Sequence, residues 1–140
     1  MLKPGGRLAL VAWGKQDQPM FSMTSGIVMK YVSMPPPDPD APNLFMFGEP
    51  GRLERTLKSA GFENVHEEAR SVRGVWKSSL EQYWQQFTEI AAPFRPAVEK
   101  LTPEARAQVV AEVLAALRKY WDGKELKLQL EIVIGSGTRE

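Results

Sequence analysis

Six apolar residues stand in succession at Leu8-Ala9-Leu10-Val11-Ala12-Trp13, directly after Lys3-Pro4-Gly5-Gly6. Proline presets φ at the second position of a turn and glycine accepts positive φ at the third, so residues 3–6 are predicted as a turn. The run that follows does not alternate. Strands with this pattern are covered on both faces, as in the middle of an α/β sheet, and Arg7 to Trp13 is expected to be one. Gly14 and the polar residues 15–18 end it. The period then changes. Met20, Met23, Ile27, Tyr31 and Met34, flanked by Phe21 and Val28, are spaced as on one face of a helix over residues 19–34. Its methionines would make a soft, adaptable surface, and Gly26 is the residue that disfavours it. Five prolines in residues 35–42 then require extended chain, read as a stiff surface loop that leads into apolar Leu44-Phe45-Met46-Phe47.

Residues 49–60 are predicted as a short helix, with Pro50 in its first turn, Leu53 and Leu57 inward and Gly61 as its stop. A strand over residues 64–75 carries many charges, as edge strands do. Residues 78–91 form the clearest helix. Ser78 with Glu81, or Ser79 with Gln82, makes a capping box, and Leu80, Tyr83, Trp84, Phe87 and Ile90 share one face. Pro93 and Pro96 break it. Thr102 caps a further helix with Pro103 at its first position. Val109, Val110, Val113, Leu114, Leu117, Tyr120 and Trp121 form its stripe, and Asp122-Gly123 ends it. Residues 126–134 are predicted as a strand and residues 135–140 as a tail. The fold class is α/β, with about three strands and covering helices. Residues 1–140 are expected to form a single domain, with residues 78–122 as a helical, lid-like insertion.

Composition narrows the function classes. The chain has 140 residues, 43% hydrophobic and 25% charged, with a formal net charge of +1 and both signs interspersed. A dedicated basic face for nucleic acid is therefore not expected. Cysteine is absent, which excludes disulfides, thiolate metal sites and cysteine nucleophiles and is compatible with a cytoplasmic setting. No apolar run approaches the ~20 residues of a membrane helix, and no secretory signal is visible.

Candidate chemistry is sparse. Trp13 and Gly14 lie at the carboxyl end of the first strand, the edge of an open α/β sheet where ligands bind. Trp13 reads either as a pocket wall or as a core tryptophan. Phe21, Met23, Phe47, Tyr83, Trp84 and Phe87 read either as lining an apolar pocket or as core. His66, the only histidine, stands beside Glu67 and Glu68. A metal or acid/base role needs a second patterned group, and none is present, so it reads as a solvated surface residue. No catalytic residue and no metal ligand is assigned.

The segment Leu2-Lys3-Pro4-Gly5-Gly6-Arg7-Leu8 and its apolar strand resemble one place in the class I S-adenosylmethionine-dependent methyltransferases. There, such a turn precedes the fifth strand of a seven-stranded, Rossmann-like sheet. Residues 49–62, EPGRLERTLKSAGF, are similar to the helix that leads into the sixth strand. The final LQLEIVIGSGTR is similar to the antiparallel seventh strand, which inserts between the fifth and sixth. The two helices before it resemble those of the ubiquinone/menaquinone-type small-molecule branch. The resemblance implies methyl transfer to a small molecule. It spans this whole chain but only the second half of the family's domain. The cofactor-binding first half, with its glycine-rich turn into a helix and its acidic residue on the ribose, is expected to be absent. No residue here carries over as a cofactor ligand, and the chain alone is expected to be inactive and not to bind S-adenosylmethionine. The alternative is a stand-alone module derived from that fold. It would hold an apolar small molecule, or form a homodimer through Arg7–Trp13 or the methionine-rich helix beside it.

Overall fold

The computed structural model describes residues 2–36 and 38–140. Pro37, within the expected proline-rich loop, lies outside them. Gly5 adopts φ +77°, which lets the chain reverse between Lys3 and Gly6. The turn then runs into β1 (Arg7–Trp13). Two longer strands follow at β2 (Phe62–Trp76) and β3 (Leu126–Arg139).

The three strands form one sheet in the order β1-β3-β2. β3 is antiparallel to β1, with Arg7 opposite Thr138 and Trp13 opposite Ile132. Two side-chain contacts, Asn64 with Thr138 at 3.1 Å and Ser71 with Glu131 at 2.8 Å, show that β2 also runs antiparallel to β3. The last strand thus lies between the other two, as the resemblance implied.

Two expectations fail in the sheet. The predicted tail, residues 135–140, continues β3 as far as Arg139. Gly135 lies beneath a helix and Gly137 against β2, so neither marks a loop. A Cβ on Gly135 would come within 2.5 Å of Leu53 Cδ2, and one on Gly137 within 3.0 Å of Phe62 Cβ. β1 is an edge strand rather than a middle one, and it is not covered on both faces. Val11 is 69% exposed and Leu10 is exposed too. An unbroken apolar run does not reveal which neighbours cover it.

The chain divides into two compact units. The first comprises Met1–Gln16, Pro39–Val72 and Leu130–Glu140. Here α3 (Arg52–Ser59) lies on one face of the sheet. Leu53 and Leu57 pack on Val133, and Leu8, Phe47, Phe62 and Val65 complete the cluster. The residue before α3, Gly51, has φ +80° and no capping side chain. Glu67 of β2 serves instead: its carboxylate accepts the N–H of Gly51 at 2.7 Å and of Glu54 at 2.8 Å. That satisfies otherwise orphaned donors at the helix start.

The second unit comprises Asp17–Asp38 and Arg73–Gln129. The helix expected over residues 19–34 is broken into α1 (Pro19–Ser22) and α2 (Ser25–Val28). Thr24 Oγ1 donates to the Met20 carbonyl and Ser25 Oγ to the Phe21 carbonyl. Hydroxyls that bond back to the preceding turn compete with the helix ladder, and both residues are buried, so water cannot replace these bonds. α4 (Leu80–Ile90) starts with the Ser79–Gln82 capping box, both bonds at 3.1 Å. Ile90, expected on the buried face, is 76% exposed. α4 ends before Pro93, and a short helix that the sequence did not indicate, α5 (Arg95–Glu99), follows. α6 (Pro103–Leu117) is capped by Thr102, whose Oγ1 accepts the Ala105 N–H at 3.1 Å. Val109, Val113 and Leu117 are its buried stripe, joined in the interior of this unit by Phe21, Leu80, Phe87 and Leu128.

Candidate functional site

At the carboxyl end of β1, Gly14 N–H donates to the Glu131 carbonyl at 2.8 Å. A Cβ on Gly48 would meet the Gly14 carbonyl oxygen at 2.8 Å, so only glycine permits this approach of two backbones. Residues 43–48 are thereby held against the end of β1. Asn43 Oδ1 accepts the Phe45 N–H at 2.9 Å, and a single turn of 3-10 helix follows over Met46–Gly48. The segment and the strand enclose an open cavity of about 520 Å³. Val11, Ala12 and Trp13 line one side, Leu44, Met46 and Phe47 the other, with Ile132 at the base. Asn43 supplies the one polar side chain among the lining residues. A groove of this kind takes an apolar molecule and orients one polar group on it.

Of the residues singled out from the sequence, Trp13 and Phe47 meet here. Val11, Asn43, Leu44, Met46 and Ile132 were missed. The apolar run at residues 44–47, directly after a proline-rich stretch, was the available signal. The other five belong to the second unit. Phe21, Tyr83, Trp84 and Phe87 are buried, and Met23, the residue that ends α1, is half-buried. Phe94 stands 6.2 Å from Phe21 and 6.1 Å from Phe87, ring centre to ring centre, and Trp84 stacks on Phe87 at 5.9 Å. Such spacings are those of a packed aromatic core. Tyr83 meets the edge of Trp76 at 5.2 Å, and its buried hydroxyl has no hydrogen-bond partner. Burial pushes its pKa up, which keeps it protonated.

His66 is exposed on β2, beside a second, more polar groove. No group of metal-binding side chains occurs among the described residues, and no described helix is long and apolar enough to cross a membrane. The two glycine pairs lie outside the setting expected for S-adenosylmethionine. That cofactor needs a glycine-rich turn leading from a strand into a helix. Gly5 and Gly6 turn into a strand instead, and Gly5 N–H is engaged by the Arg139 carbonyl at 2.6 Å. Gly135 and Gly137 lie inside β3 beneath Leu53 and Phe62.

Comparison with protein-family models and with curated proteins returns no match. Among solved structures, the chain is similar to a candidate methyltransferase from Bacillus halodurans, at 16% identity and a TM-score of 0.40. The match covers 99% of this chain and 53% of that one, so the chain spans about half the length of that structure.

Proposed function

We propose that this chain is the acceptor-side part of a methyltransferase-like fold and binds an apolar small molecule in the groove at the end of β1. The observation that carries this reading is the meeting of Trp13 and Phe47 around one amide, Asn43, in a cavity of about 520 Å³. The methyltransferase part is supported by the Leu-Lys-Pro-Gly-Gly turn, the Ala-Gly-Phe segment and the strand order β1-β3-β2. Methyl transfer from a sulfonium depends on alignment of three atoms more than on acid/base groups, so an apolar groove with a single amide suits an acceptor. The cofactor would come from residues other than those described.

The groove is tested with 1-naphthol, a flat apolar probe with one hydroxyl. Saturable shifts of the Met46 methyl resonance are expected, and Leu44→Glu, an exposed position, should abolish them. Shifts confined to methyl groups outside the groove, or an undiminished response in the variant, would sink the reading.

The exposure of Val11 on an edge strand favours a second role, pairing of β1 with a second copy. An antiparallel pair centred on Leu10 would set Arg7 opposite the partner's Trp13 and apolar residues opposite apolar ones, with no like charges facing. Static light scattering on a concentration series is expected to show a dimer. A monomer at all concentrations rules it out.

A further inference from the structure

We infer that the polar groove across the three strands, near the amino-terminal end of β1, is a binding site for a small oxyanion, a phosphate monoester or a carboxylate. This does not rest on the apolar-ligand reading, which concerns the other end of the strand.

The site follows from register. Arg7 pairs with Thr138, and Asn64 Nδ2 donates to Thr138 Oγ1 at 3.1 Å, so these three form one row across the sheet. One step along, Ala9 pairs with Ser136, and His66 lies two residues beyond Asn64 on β2. Alternation turns these side chains to one face, while Leu8, Gly137 and Val65 take the face packed by α3. The result is a groove of about 390 Å³ with Ala9 and Gly137 in its lining, where small residues leave room between Arg7 and His66.

Part of the donor set at this groove is unspent, although the His66 ring also faces the charge of Glu54. Among the described residues, Arg7 has no ion pair, and neither the His66 ring nor the Ser136 hydroxyl has a hydrogen-bond partner. Thr138 Oγ1 is committed, since it donates to the Glu63 carbonyl at 3.1 Å while accepting from Asn64. Asn64 therefore has one amide hydrogen left, and its amide is oriented. Glu68, the next residue on this face of β2, is engaged by Arg70 at 2.8 Å and does not answer Arg7.

Backbone conformation gives an independent indication. Asn64 is the one non-glycine with positive φ among the described residues, at +47°, inside a strand. Strained backbone collects at functional sites, and asparagine is among the side chains that tolerate the left-handed region best. Here the twist aims the amide toward Thr138 and the groove. A guanidinium fork, a hydroxyl, an amide N–H and an imidazole N–H are together the donor set that recognises the oxygens of phosphate or carboxylate.

The test is an NMR titration of the full chain with inorganic phosphate, and separately with acetate, at constant ionic strength. Saturable shifts at Arg7, Asn64, His66 and Ser136 are expected with at least one of them. Saturation by phosphate alone assigns the phosphate class, and saturation by both assigns the shared oxyanion chemistry. Arg7→Gln should weaken binding roughly tenfold or more, the factor expected for one charge-assisted pair. Ser136→Ala, which leaves the charge in place, should weaken it less. Both variants are checked for an unchanged urea midpoint. Linear shifts with either anion, shifts spread over all the cationic side chains, or equal affinity in Arg7→Gln would overturn the site.

Discussion

The Glu67 carboxylate on β2 receives the backbone N–H of Glu54 at 2.8 Å, and the same side chain reaches the N–H of Gly51. A strand thus caps the helix that covers it. The helix and the sheet are joined at this point by hydrogen bonds as well as by the packing of Leu53 and Leu57.

Glu67→Ala should therefore lose about 1–2 kcal/mol of stability, the scale of a lost helix cap. Glu67→Gln keeps an acceptor oxygen and should lose less. Urea denaturation of the three proteins reads the order. Equal midpoints for wild type and Glu67→Ala would show that water replaces the cap.

Gly135→Ala places a methyl group against Leu53, a residue only 1% exposed. A cost of about 1–3 kcal/mol is expected from overpacking. Leu53→Ala alone leaves a cavity and should cost about 2–5 kcal/mol. The double variant should cost clearly less than the two added, because each change relieves the other. Additivity in denaturant midpoints would contradict the contact.

Asp122 predicts an acid response. Its Oδ1 accepts the N–H of Glu125 at 2.8 Å and of Lys124 at 2.9 Å, and its Oδ2 meets Lys127 Nζ at 2.9 Å. The Glu125 N–H first, then the Lys127 ammonium and the Lys124 N–H, hold the carboxyl far below its ordinary value. The folded pKa lies below the unfolded one, so this stabilisation is present above about pH 4 and is lost as pH falls toward the folded value. The stability gap between wild type and Asp122→Asn should be constant near neutrality and close below about pH 4. A gap independent of pH in urea titrations would show that the geometry, and not the charge, matters.

Val11→Lys puts a charge in the middle of the open edge without disturbing any buried group. It should leave the urea midpoint within about 0.5 kcal/mol of wild type, as for most surface changes. It should also abolish concentration-dependent association seen by light scattering. Association that survives the change would move the interface away from β1.

Local signals carried the elements that depend on local chemistry. The Ser79 and Thr102 caps, Pro103 at a helix start and the Val109, Val113 and Leu117 stripe of α6 were readable from short stretches, whereas Tyr120 and Trp121, expected on that stripe, lie beyond the helix end at Leu117. The misreadings lie where distant residues decide. Gly135 and Gly137 resemble loop residues until Leu53 and Phe62 are placed above them. β1 has the pattern of a covered strand and is an edge, because pattern reports what a strand can tolerate and not what adjoins it. The break at Thr24 follows from two hydroxyls turning back on the preceding carbonyls, a choice that burial decides. In the candidate site, Trp13 and Phe47 were readable as apolar residues at a strand end and in the run after the prolines. The aromatic spacing of α4 gave no means of telling core from pocket.

The central position of β3 also governs when the sheet can assemble. Arg139 closes onto the Leu2 carbonyl, 137 positions away, and every pairing of β1 is with residues of β3. During synthesis β1 emerges before β3, so this pairing waits until β3 follows. Contacts of such long sequence separation are slow to form, because chain closure is paid before pairing rewards it. Leu8 to Trp13 lack their β3 partner for that interval, when unpaired apolar segments are prone to misassociation.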